Sequence, residues 1–158
     1  MDPIQRILCP VDFSQPSLAA LDYAKGFARA VGADLFLINA FATPASYDLA
    51  GQRMPADPTI MSQLEGLQAD ADGVKITCIG HAGIPDEVIC WAAEHNDCQL
   101  IIMGTHGRTG LKHLLFGSTA EAVLRHARCP VMAIREQKEH AKKLDEPTVM
   151  PLPAPRYM

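Results

Sequence analysis

Gly104, Gly107 and the pair Gly117-Ser118 fall into a G-x2-G-x9-G-S spacing. The run opens where an apolar segment, Leu100-Ile101-Ile102-Met103, stops, and it closes where a helical pattern begins. A glycine turn between strand and helix brings backbone N–H groups close to an anion, because no Cβ stands in the way. The chemistry this predicts is a phosphate cradle, with Gly117, Ser118 and Thr119 presenting free N–H groups at a helix start. Arg108 and Lys112 are the nearest cations. The Ser118 hydroxyl has two uses open to it, a phosphate or the cap of its own helix. His106 and His113 share this stretch; they are read as solvent-facing loop residues, and no catalytic residue is assigned.

Asp12 ends another apolar run, Arg6 to Val11. A carboxylate there accepts from an exocyclic amine, holds a hydroxyl or coordinates a metal, and it equally suits an Asx turn into a helix. Asn39-Ala40-Phe41 closes the run that begins at Asp34 and could floor a base pocket, with Phe41 serving as core packing. The chain lacks G-x-x-x-x-G-K-[ST], and Gly104, Gly107 and Gly110 do not satisfy G-x-G-x-x-G, which argues against a Walker-type motor and a nicotinamide dehydrogenase. It also lacks a G-x-S-x-G elbow.

The elements that must position these residues alternate. Strands are expected over Arg6 to Val11, Asp34 to Phe41, Val74 to Ile79, Gln99 to Met103 and Val131 to Ile134. Between the first two, Ser14 or Ser17 caps a helix whose face carries Leu18, Leu21, Phe27, Ala28 and Val31, and Gly32 stops it. Thr43 to Pro58 has no period and reads as a loop. Thr59 or Ser62 then caps a modest helix through Leu64, Leu67 and Ala71. Gly80 to Gly83 turn the chain, and Pro85, with Asp86 and Glu87, opens the next helix. Ser118 and Glu121 match a capping box, S-x-x-E, for the last one. The domain is expected to span residues 1–135, with 136–158 a polar, proline-rich tail.

Alternation of strand and helix makes a parallel sheet with right-handed crossovers the default. Two crossovers on one face and two on the other give the order 3-2-1-4-5, an α/β three-layer sandwich. The switch point then lies between strands 1 and 4, where ligands favour the carboxyl ends. Asp12 and Gly104 end those two strands, so the chain's two most unusual loops meet there.

The bulk numbers fit one soluble domain: 158 residues, 48% hydrophobic, 20% charged. A net charge of -4 favours no nucleic-acid surface. No apolar run approaches the ~20 residues that span a bilayer, and the start carries no signal-peptide core, so a cytoplasmic location is expected. Five scattered cysteines without a C-x-x-C pair read as reduced thiols, not a disulfide framework or zinc site.

Three segments resemble the universal stress protein family: Ile102 to Leu111, Leu115 to Glu121, and Cys129-Pro130-Val131. The opening, Ile7 to Ser14, is similar to that family's first strand. The resemblance spans about residues 4 to 135 and implies the same five-stranded, Rossmann-like order. It implies an ATP-binding branch, since every glycine of the G-x2-G-x9-G-[ST] pattern is present. By resemblance, Asp12 with the backbone at Pro10, Val11 and Ala40 meets adenine, and Met103, Gly104 and Thr105 lie by the ribose. Gly107, Arg108, Gly117, Ser118 and Thr119 hold the phosphates of ATP or another adenine nucleotide, with Mg2+ or Mn2+ bridging. A homodimer through Val131, Met132, Ala133 and Ile134 is also implied. Many members show His-Val where this chain has Asn39-Ala40, which makes the base pocket roomier.

Three functions compete: a nucleotide-dependent regulatory module, a slow ATP-hydrolysing or nucleotide-transferring enzyme, and a dimeric interaction protein with an idle pocket. The first is expected, because the cradle comes without an obvious base and an idle pocket has no need of all three glycines.

Overall fold

Each strand returns beside a neighbour it can reach by a right-handed crossover, and the sheet order follows. In the computed structural model, which describes residues 3–41, 57–68, 71–107 and 116–136, the order is β3-β2-β1-β4-β5. The strands are β1 (Arg6–Pro10), β2 (Asp34–Phe41), β3 (Ile76–Ala82), β4 (Leu100–Gly104) and β5 (Val131–Ile134), and every pairing is parallel. The helices are α1 (Gln15–Val31), α2 (Pro58–Gly66), α3 (Pro85–His95) and α4 (Ser118–His126). Among the described residues no helix is long and apolar enough to cross a membrane.

Both faces of the sheet are covered, so its central strands carry continuous apolar runs, Ile7-Leu8-Cys9 in β1 and Leu100 to Met103 in β4, instead of alternating with polar residues. On one face Ile7, Cys9, Leu35, Leu37 and Ile102 pack under Leu21, Ala24 and Ala28 of α1 and Leu64 of α2. On the other, Leu8, Ile38, Ile101 and Met103 meet Val88, Ile89 and Ala92 of α3 and Ala120 and Val123 of α4. Burying each such aliphatic side chain contributes about 1.5–3 kcal/mol. Small residues on α1 let it lie close over β1 and β4, which sets the entrance to the crevice.

Several local expectations are corrected. Ser14 caps α1, its side chain accepting from the Ser17 N–H, and Gly32 ends it at φ 71 with its N–H on the Ala28 carbonyl. Val31, however, is 44% exposed; the buried stripe stops at Ala28. Asp57, not Thr59 or Ser62, caps α2 by accepting from the Thr59 N–H. β3 begins later and runs further than its own residues suggested. Gly80, His81 and Ala82 continue the ladder opposite Asn39, Ala40 and Phe41, because the long β2 supplies partners to its end. The expected loop from Thr43 lies outside the described residues up to position 56, as does the tail from 137.

Candidate functional site

A crevice of about 550 Å³ opens at the carboxyl ends of β1, β2 and β4, within the ordinary range for a small-molecule site. Of the twelve residues expected to bind a ligand, Pro10, Val11, Asp12, Ala40, Met103, Gly104, Gly107, Gly117, Ser118 and Thr119 line it. Thr105 does not. It is 5% exposed, and its N–H donates to the Ile134 carbonyl at 3.1 Å. Arg108 lies outside the described residues, as do Gly110, Lys112 and His113.

The floor is built where β1 gives way to α1. The Asp12 carboxylate accepts from the Ser14 N–H at 3.0 Å and from the Ser14 hydroxyl, an Asx turn. The Asp12 N–H donates to Ser17 Oγ at 3.3 Å. Between these anchors Phe13 sits at φ 64, a left-handed conformation that costs a non-glycine residue about 1–2 kcal/mol. This turn and its capped helix hold the carboxylate at the mouth.

The three glycines differ in why they are glycine. A Cβ on Gly104 would stand 2.9 Å from the Pro16 carbonyl oxygen, so the residue lets β4 and α1 approach. A Cβ on Gly107 would stand 2.8 Å from Asp12 Oδ2. Both are required by close contacts of their own, so the expectation that an idle pocket has no need of all three glycines rests on Gly117 alone. Gly117 has no such reason among the described residues: a Cβ there would meet none of them closer than 3.5 Å, and its φ of -71 suits any residue.

Gly117, and not Ser118, is the N-cap of α4, and no side chain caps the helix. The capping box is therefore not formed. The Gly117 N–H is not free either, since it donates to the Thr105 carbonyl at 2.7 Å. That bond holds Gly117 extended and pushes Ser118 into the first helical position. Glu121 pairs with Arg125 at 2.9 Å instead of reaching back. The N–H groups of Ser118, Thr119 and Ala120 keep no partner among the described residues, as the first turn of any uncapped helix must. They sit at the positive end of the helix dipole.

The rest of the lining mixes apolar and amide side chains and includes residues that spacing alone did not nominate. Ile60 and Gln63 come from α2, and Pro85 and Ile89 from α3. Ile60 and Ile89 carry the periodicity of core residues, so nothing local marks them as lining. Asn39 and Phe41 also line the crevice. His106 lines the crevice with its Nδ1 3.0 Å from Thr105 Oγ1. No group of three His, Cys, Asp or Glu side chains that could hold a metal gathers among the described residues.

Comparison with known proteins gives consistent likenesses. A family model described as the universal stress protein family matches residues 3–135. A universal stress protein of Methanocaldococcus jannaschii is 32% identical over 143 residues, covering 85% of this chain and 84% of its own. The solved universal stress protein UspA from Lactobacillus plantarum superposes with a TM-score of 0.71 at 25% identity, covering 85% of this chain and all (100%) of its own. The structure of the universal stress protein from Archaeoglobus fulgidus in complex with dAMP shares the fold at a TM-score of 0.60 and 21% identity, covering 84% of this chain and 98% of its own.

Proposed function

This chain belongs to the universal stress protein family, and from that premise we propose that it is a regulatory protein whose crevice takes an adenine nucleotide, ATP foremost, without enzymatic turnover. The observation that carries this reading is the start of α4. Gly117 puts no side chain over it, no contact among the described residues requires that glycine, and the open N–H groups face a crevice. A helix start of this kind suits a phosphate group. The dAMP bound by the Archaeoglobus fulgidus protein is a phosphate-bearing adenine nucleotide, and the reading extends that ligand class to this chain.

Under this reading Ser118 and Thr119 hold phosphate oxygens through their N–H groups and hydroxyls. Ser118 is exposed and its hydroxyl is not spent on capping. Asp12, Val11 and Ala40 bound the base, and Met103 and Gly104 bound the ribose. Arg108 is the proposed phosphate cation. A bridging Mg2+ or Mn2+ would supply charge neutralisation between phosphates, and it would enter with them, since no preformed cluster of metal ligands gathers among the described residues. The partner proposed is a second copy of the chain, joined through β5. The Ile101 N–H bonds the Pro130 carbonyl and the Thr105 N–H bonds the Ile134 carbonyl. In a parallel ladder this alternation points the main-chain groups of Val131 and Ala133 to the open edge. Five unpaired cysteines suit a reducing compartment, and the cytoplasm is the proposed location.

Isothermal titration of the purified chain with MgATP is expected to give one site per chain. Mass spectrometry of protein purified without added ligand is expected to release an adenine nucleotide. Absence of heat at high micromolar protein would overturn the reading. Phosphate release at ordinary enzymatic rates, lost on Gly117→Val, would overturn the non-enzymatic part alone.

A further inference from the structure

We propose that Asn39 reads the base: its Oδ1 accepts a hydrogen bond from an exocyclic amino group, so the crevice prefers 6-aminopurine to 6-oxopurine nucleotides. The inference rests on the adenine-nucleotide reading above and adds the side chain that makes the choice. Asn39 is 7% exposed, near the end of β2, and lines the crevice. Its Nδ2 donates to the Val11 carbonyl at 2.7 Å. A carbonyl only accepts, so this bond fixes which way the amide faces: the nitrogen toward β1, the oxygen away from it. No described residue donates to Oδ1, and that atom is not among those sealed from solvent without a partner. It is an acceptor at the edge of the crevice, waiting for a donor.

The surroundings narrow what that donor is. The Val11 N–H is taken by the Ile38 carbonyl at 2.8 Å, so both main-chain groups of Val11 are satisfied within the fold. Asp12 already accepts from Ser14 and packs on Gly107. On the face of the sheet that Asn39 shares with Leu35 and Leu37, the neighbouring lining residues are Phe41 and Ile60, apolar surface that suits a planar base better than a phosphate or a sugar. The open helix start of α4 is tied to the end of β4 through the bond from Gly117 to the Thr105 carbonyl, and β4 lies across the switch point from β1 and β2. A nucleotide with its phosphates at α4 therefore carries its base toward β2. An amino group there completes the Asn39 acceptor. A 6-oxo group sets acceptor against acceptor, and a purine with only hydrogen at C6 leaves Oδ1 unpaired. Sites built around a buried hydrogen bond discriminate strongly against analogues that lack the donor.

The test is titration of the full chain with the Mg2+ complexes of ATP, purine riboside triphosphate and inosine triphosphate. The wild-type chain is expected to bind ATP about tenfold more tightly than the purine riboside analogue, with the inosine nucleotide weakest. Asn39→Ala is expected to weaken ATP about tenfold while leaving the purine riboside analogue within about twofold. If Asn39→Ala weakened all three equally, Asn39 would be only a brace for Val11 and the proposal would fall. The wild-type series needs no variant and decides the matter even if Asn39→Ala fails to fold. Equal binding of all three by the wild type removes the base assignment and leaves the nucleotide reading standing. Binding of none removes both.

Discussion

Pro16 presents its carbonyl oxygen 2.9 Å from where a Cβ on Gly104 would stand, so Gly104→Ala must move α1 off β4. An overpacked contact of this kind is expected to cost about 1–3 kcal/mol, read as a lower midpoint of urea unfolding. Gly117→Ser is expected to behave in the opposite way. A serine at the N-cap accepts from the open N–H groups of α4 and stabilises the chain by a few tenths of a kcal/mol. The same hydroxyl competes with phosphate, so nucleotide affinity is expected to fall several-fold in titration. A Gly117→Ser chain that binds nucleotide as tightly as the wild type would remove the proposed role of the helix start. At this scale the glycine spacing and Asp12 were legible because both are local. The orientation of Asn39 was not, because it depends on a carbonyl 28 residues away in sequence.

The elements show what alternation and handedness decide and what they leave open. Five apolar runs with crossovers between them suffice for the order β3-β2-β1-β4-β5, since few topologies satisfy the handedness rule. The end of α1 was also legible: Gly32 takes φ 71, and Gly32→Ala is expected to cost about 1 kcal/mol in thermal unfolding. The start of α4 was misread because S-x-x-E describes side chains, whereas the cap is set by the backbone. The Thr105–Gly117 bond fixes the helix start one residue earlier than the motif implies. β3 was misplaced because its length is decided by β2, not by its own apolarity. For β5, Ala133→Pro removes an outward N–H without touching the ladder to β4, and edge strands tolerate proline. It is expected to leave the fold intact and turn the proposed dimer into a monomer by light scattering.

Across the whole molecule the buried thiols make a prediction about alkaline pH. Burial pushes the Cys9 thiol up to about 12 from 9.0, although Lys25 nearby acts against it. Burial likewise pushes Cys98 up to about 12 from 9.0. The folded values lie above the unfolded one, so this stabilisation is whole below pH 9 and is lost as pH rises towards 12. Urea unfolding at increasing alkalinity is expected to show declining stability, with a shallower decline in Cys9→Ala. A slope unchanged in that variant would assign the loss to other groups. At neutral pH both sulfurs stay protonated and are expected to resist alkylation. One chain of contacts crosses the molecule from the helix start to its last strand: Gly117 bonds Thr105, and Thr105 bonds Ile134. Thermodynamics makes any such connection symmetrical. If filling the crevice firms the self-association edge, then crowding the chains together must sharpen the apparent affinity for the nucleotide by the same factor. Titrations run at dilute and at concentrated protein would then trace two displaced curves, and their separation would measure how far the protein counts its own copies while it counts its ligand.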